Sequence, residues 1–269
     1  MTTILDSLER YYDTVPRVGG ARAEDFGPLT LFVQEGAGWQ YYARPALGGA
    51  ADATPADVER VLERQRELKV PEAFEWVAET SPSLRAPVEA AGLDVHAHPL
   101  MVLDAEAVRL PSHPGVRLLD ADDPLLTAAV TVPALAFRVP GTAVGEAGPG
   151  ELAAAVADPS AQERRDRVSG MLASGRTAMA AAVRDGVVLC SGQYIPVGDV
   201  AEVVAVGTLP SARRQGLALG VTAALVARAL EQGARTVFLS AGDEDVARIY
   251  TRIGFRRVAT ALIAEPPAA

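Results

Sequence analysis

Between Arg213 and Ala218 the chain reads Arg-Arg-Gln-Gly-Leu-Ala, a short cationic loop. It follows a β-branched run (Val203, Val204, Val206, Thr208) that stops at Leu209-Pro210. From Leu217 to Gln232 an Ala/Leu/Val stretch continues at helical spacing. Gly216 has no Cβ, so the backbone there reaches unusual conformations and lets a ligand approach closely. No Ser, Thr, Asp or Asn heads the helix. Its first N–H groups and the positive end of its dipole are therefore free for an outside anion, and phosphate is the usual one. Arg213 and Arg214 bring positive charge to the same spot.

Downstream the segment closes on Tyr250-x-x-x-Gly254-Phe255. With the preceding strand and the Arg213-x-x-Gly216-x-Ala218 spacing, residues 200–258 resemble the GNAT superfamily of acyl-CoA-dependent N-acyltransferases. The likeness is looser back to about residue 115. The family's Gln/Arg-x-x-Gly-x-Gly/Ala signature cradles the CoA pyrophosphate. The resemblance therefore implies that Arg213, Arg214, Gln215, Gly216, Leu217 and Ala218 hold acetyl-CoA as co-substrate. It also implies that the backbone of Val206 and Thr208 pairs with the acetyl and pantetheine groups. A Tyr at the place of Tyr250 acts in the family as general acid beside the CoA sulfur. Asp243 stands seven residues earlier, where the family often has Asn. Glu202 falls where several histone-type members carry their general base.

Acyl transfer to an amine needs a base for the amine, stabilisation of the oxyanion and a donor for the departing thiolate. A phenol suits the last task. A carboxylate beside apolar Val203 and Val204 would tend towards a raised pKa and suits the first. The bland alternatives are a Tyr250 packed against Phe255 and a Glu202 that is an exposed strand-end acid. The reading that follows is an N-acetyltransferase working by direct amine attack on a small-molecule acceptor, without metal or covalent enzyme intermediate. Its rivals are another acyl donor, a hydroxyl acceptor, or a CoA-binding regulatory module without turnover.

The elements that must position these residues extend well upstream. The fold class expected is α/β (α+β): two GNAT-like domains, each a mixed, mostly antiparallel sheet flanked by helices. Residues 1–104 form the first, 105–114 a proline-containing linker, and 115–269 the acetyltransferase domain. In the first, helices are expected over 3–15, from the Thr54-Pro55-Ala56-Asp57 start to Leu68, and over 82–91. Strands are expected at 29–34, 39–43 (joined across Glu35–Gly38), 74–79 and on to Leu103. In the second, strand 116–119, a helix to Phe137, a flexible loop 138–150, a helix 161–174, and strands 177–184 and 187–196 across Asp185-Gly186 lead to the signature. Loop 138–150 and Tyr194 are expected to border the acceptor.

The halves overlay at an offset of 162 residues without a gap, Gly92-Leu93 falling on Gly254-Phe255. At that offset the signature loop lands on Ala51-Asp52-Ala53-Thr54-Pro55-Ala56 and Tyr250 on Val88. The cation, the open N–H groups and the acid are all replaced. The first half is therefore expected to bind no CoA and to supply acceptor-wall residues such as Trp39, Tyr41 and Tyr42.

Composition narrows the rest. A length of 269 residues suits two domains, and 49% hydrophobic content can build their cores. A net charge of −9 argues against nucleic acid. No apolar run reaches membrane-spanning length and no charged-then-apolar leader opens the chain, so the expectation is a soluble, cytoplasmic protein. The single cysteine, Cys190, sits in an apolar run and reads as a buried strand residue. His96, His98 and His113 lack partners for a metal-ligand pattern. The chain has no Asn and one Lys against many Arg and Ala, a bias that suggests GC-rich bacterial coding. Between monomer and homodimer the sequence leaves the choice open.

Overall fold

The computed structural model describes residues 3–35, 38–49 and 52–267. The chain opens with α1 (Ile4–Val18), β1 (Ala21–Asp25), β2 (Leu29–Gln34), β3 (Ala43–Pro45), α2 (Pro55–Leu68) and β4 (Phe74–Val77). Next come α3 (Arg85–Ala90), β5 (Asp94–Leu103), β6 (Val116–Leu119), α4 (Leu126–Phe137), α5 (Pro149–Val156) and α6 (Pro159–Ala173). The last elements are β7 (Ala178–Arg184), β8 (Val187–Val197), β9 (Val200–Thr208), α7 (Leu217–Glu231), β10 (Thr236–Ser240), α8 (Glu244–Thr251) and β11 (Phe255–Glu265). Two compact units result: Met1–Leu100 with Val258–Ala269, and Met101–Arg257. The C-terminal segment expected with the second half thus clusters with the first unit, where Ala261–Ala264 of β11 pair antiparallel with Val77–Phe74 of β4.

In the first unit the strands run in the order β1-β2-β3-β4-β11, antiparallel except for the parallel β3/β4 pair. Helix α2 starts where Thr54 and Asp57 cap one another reciprocally. Thr54 Oγ1 accepts from the Asp57 N–H, and the Asp57 carboxylate accepts from the Thr54 N–H at 2.8 Å. Its buried residues Val58, Val61, Leu62 and Gln65 recur at one helical face. They join Leu29, Leu31, Phe74, Trp76 and Leu262 in the unit's core. β1 lies where the sequence showed no strand: Ala-Arg-Ala-Glu-Asp lacks apolar alternation, and its antiparallel pairing with β2 makes it a strand. Of the expected Glu35–Gly38 turn, Gly36 and Ala37 lie outside the described residues, as does Ala51 of the overlaid loop. β3 begins at Ala43 rather than at Trp39.

In the second unit the order is β10-β9-β8-β7-β6, with β10/β9 parallel and the rest antiparallel. Adjacent β8 residues show the two covered faces. Ser191 Oγ donates to the Ala129 carbonyl of α4 at 2.6 Å, whereas a Cβ on Gly192 would meet Leu225 of α7 at 3.2 Å. Helix α7 buries Leu217, Val221, Leu225 and Val226. Asp185 (φ 51°) and Gly186 (φ 76°) are both left-handed, the requirement of a tight two-residue hairpin. α5 stands where the sequence predicts no helix, and only its first two residues fall within the expected loop 138–150. Pro149 opens its first turn and Glu151 accepts from the Gly148 N–H at 2.7 Å. The proposed repeat keeps its spacing in the elements: α2 and α7 begin 162 residues apart, as do β4 and β10.

Candidate active site

β9 is the axis of the site, and at its start it is held by β10. Val200, Ala201 and Glu202 pair with Thr236, Val237 and Phe238, and the pairing ends there although β9 continues to Thr208. Beyond Glu202 the edge of β9 that faced β10 is a run of backbone donors and acceptors. An extended ligand carrying amides could add to such an edge as a strand would.

The opposite edge of β9 is irregular. The β8/β9 register shifts between Ser191, paired with Gly207, and Gln193, paired with Val204. Ala205 and Val206 therefore oppose the single residue Gly192, and Ala205 is left-handed at φ 54°. This is a β-bulge, which bends the strand and releases backbone groups. Gly192 is required by it, because a Cβ would lie 2.9 Å from Val206 Cγ2. Sequence reasoning missed Ala205. Gly192 inside the apolar run of β8 is the one signal that could have pointed to it.

The far end of β9 leads into the cationic loop. Leu209-Pro210 starts a short 3₁₀ turn over Pro210–Ala212, then Arg213 is extended and both Arg214 (φ 65°) and Gly216 (φ 77°) are left-handed. Gly216 is the N-cap of α7 and no side chain caps the helix. Nothing lies within 4 Å of a Cβ built on Gly216, so the space before the helix is open and glycine serves the backbone angle. Arg214 and Gln215 are exposed, Ala218 is half-buried, and Leu217 is buried in the core, offering only its backbone.

Arg213 is placed differently from the expectation of a phosphate-facing cation. Its guanidinium donates to the carbonyls of Ala136 (2.9 Å), Val139 (2.6 Å) and Ala143 (3.1 Å). Burial pulls its pKa down. Asp243 likewise has a task within the protein: it is the N-cap of α8, accepting from the Val246 N–H at 2.7 Å.

Tyr250 is buried on α8 and meets Phe255 edge-on, ring centroids 6.1 Å apart. Burial pushes its pKa up, and the nearby Cys190 adds to the shift. Cys190 is itself buried, its thiol pushed up to about 12, and accepts from Thr208 Oγ1 at 3.2 Å. The structure thus brings Tyr250, Cys190 and Thr208 to one neighbourhood. Glu202 is half-buried where the β9/β10 pairing ends. Tyr194, expected to border an acceptor, is buried, and its phenol feels Arg228 and Glu231 in the last turn of α7. Among the described residues, no group of three His, Cys, Asp or Glu side chains could hold a metal, and no helix is long and apolar enough to cross a membrane.

Comparison with known proteins gives this geometry a context. Residues 195–263 match the family model described as FR47-like protein. No curated protein matches the sequence. Among solved structures, a GCN5-related N-acetyltransferase from Kribbella flavida is 24% identical with a TM-score of 0.70, over 100% of this chain and 98% of that one. A putative acetyltransferase of the GNAT family from Novosphingobium aromaticivorans DSM 12444 is 18% identical with a TM-score of 0.54, over 94% of each chain. A tandem GNAT protein from the clavulanic acid biosynthesis pathway is 17% identical with a TM-score of 0.54, over 90% of this chain and 79% of that one. The likeness to these structures is one of fold. The chain has the GNAT fold, and the FR47-like match covers the β9 edge beyond Glu202, the cationic loop and Tyr250.

Proposed function

We propose that the chain is an acetyl-CoA-dependent N-acetyltransferase whose single active site lies in the second unit. The observation that carries this is the continuity of β9. One strand leads from an opened β-sheet edge at Glu202 to an uncapped, glycine-started helix at Gly216. Those are the two features an extended pantetheine arm ending in a pyrophosphate requires.

In this reading the N–H groups from Gly216 to Ala218, with Arg214 and Gln215, hold the pyrophosphate. The edge around Val206 and Thr208 aligns the arm. The bound thioester supplies an activated acyl carbon, and the amine nitrogen bonds to it as the carbon–sulfur bond breaks. Glu202 takes the proton that the amine gives up. Tyr250 donates a hydrogen bond to the sulfur as negative charge gathers there. A phenol with a raised pKa keeps its proton until the sulfur has left, so its first contribution is electrostatic.

The first unit is assigned no CoA site. Thr54 and Asp57 already cap the helix equivalent to α7, which leaves its N-terminus no free invitation to a phosphate. Arg44, at the position overlaid on Val206, is buried, bonded to Glu9 and stacked 5.2 Å from the Tyr12 ring centre. A thiol-release assay with acetyl-CoA across a panel of small amines tests the function. Amine-dependent release supports it, and CoA binding without release for any amine would favour a regulatory module.

A further inference from the structure

The segment from Phe137 to Ala147 has no hydrophobic anchor. None of its side chains is buried, and Phe137, Val139 and Val144 are 61%, 41% and 62% exposed. A loop so exposed should move freely unless polar contacts hold it. Here they do, and they converge on the four residues just before the proposed phosphate turn. Arg213 spends three donors on the carbonyls of Ala136, Val139 and Ala143. The Gly145 N–H donates to the Pro210 carbonyl at 3.1 Å, and the Ser211 N–H to that of Ala147 at 3.0 Å. Close approach is built in, since a Cβ on Gly148 would lie 2.6 Å from Ser211 Oγ and one on Gly145 3.0 Å from Pro210 Cβ.

We propose that Arg213 is a positioning residue which transmits occupancy of the 214–218 turn to the segment 136–148, ordering that loop when CoA binds. This rests on the reading that the turn holds CoA. A guanidinium suits the task because its planar fork reaches several carbonyls at once and stays charged, whereas a lysine ammonium is a single point on a flexible stem. The coupling is reciprocal: whatever the ligand does to the loop, fixing the loop does to ligand affinity. Arg214, exposed beside Gly216, is left as the cation that meets the phosphates.

Amide hydrogen exchange of the full chain, with and without saturating CoA, tests this. In the wild type, CoA should slow exchange across residues 138–148 by about fivefold or more, as expected for ordering a loop by about 1 kcal/mol. Arg213→Ala and Arg213→Lys should both lose that increment while still binding CoA by calorimetry. Arg214→Ala should weaken CoA binding about tenfold yet keep the loop response once saturated. Loss of the increment in both Arg213 variants, with melting temperatures near wild type, supports the proposal. A full loop response in Arg213→Ala, or a loop indifferent to CoA in the wild type, overturns it. If the wild type binds no CoA, the proposed function fails on the calorimetry; unchanged exchange of 138–148 in unliganded Arg213→Ala would then reject the clamp independently.

Discussion

Glu202 and Phe238 form the last pair of the parallel ladder between β9 and β10. Beyond that pair β10 runs only to Ser240 before the chain turns into α8, while β9 runs on for six residues to Thr208. A carboxylate is thereby set where a sheet opens, at the point from which an added chain would begin to pair with β9. The proposed chemistry depends on that placement, because a base must stand at the acyl end of the bound arm and not at its phosphate end.

Glu202→Gln tests the base directly. With a neutral amide in place of the carboxylate, kcat should fall most at pH values above the pKa of Glu202. The acid limb of the kcat/KM profile should also flatten. A pH–rate profile superimposable on wild type would return Glu202 to a structural role.

Tyr250→Phe removes the proposed donor while keeping the edge-on contact with Phe255. The expected loss is roughly 10²-fold in kcat, the usual size for a positioned acid, with CoA affinity little changed. Because burial raises the pKa of Tyr250, the phenol stays protonated through the neutral and mildly alkaline range. The loss should therefore be the same at pH 7 and pH 9. A deficit that vanished at pH 9 would mean that Tyr250 deprotonates in that range and does not carry the proton assigned to it.

The first unit carries its own pH signature. Part of Glu75 is still open to solvent, yet its carboxyl lies deep enough that burial pushes it up to about 7, with Arg44 pulling the other way. A carboxyl raised in the folded state adds stability that is full below about pH 4.5, its unfolded value, and is lost as pH rises through about 7. Glu75→Gln should remove this dependence, so that the variant gains on the wild type in melting temperature between pH 5 and pH 8. Parallel melting curves for the two proteins across that range would contradict the assignment.

The regular parts of the fold were legible because apolar periodicity and caps announce them. The Thr54 start of α2, the Asp185-Gly186 hairpin and the bare head of α7 all appear where the residues said they would. What stayed hidden depends on tertiary partners. β1 is polar and becomes a strand by pairing with β2. α5 opens in Gly-Pro-Gly, which reads as a turn until Glu151 closes onto Gly148. Arg213 showed its charge in the sequence, but not the three carbonyls that claim it, since these lie 70 to 77 residues away. The burial of Tyr194 was hidden for the same reason: alternation along β8 does not say which face the helices cover.

Calorimetric titration of the intact chain with acetyl-CoA tests the central claim most directly, using wild type, Gly216→Ala and Gly216→Glu. Gly216 sits at φ 77° with open space before it, so alanine there introduces backbone strain of about 1–2 kcal/mol and little else. Glutamate adds a negative charge where the pyrophosphate should lie. The account predicts one acetyl-CoA per wild-type chain, weaker binding to Gly216→Ala, and none detectable to Gly216→Glu although that variant still melts cooperatively. Two sites per wild-type chain, or undiminished binding to Gly216→Glu, would contradict it.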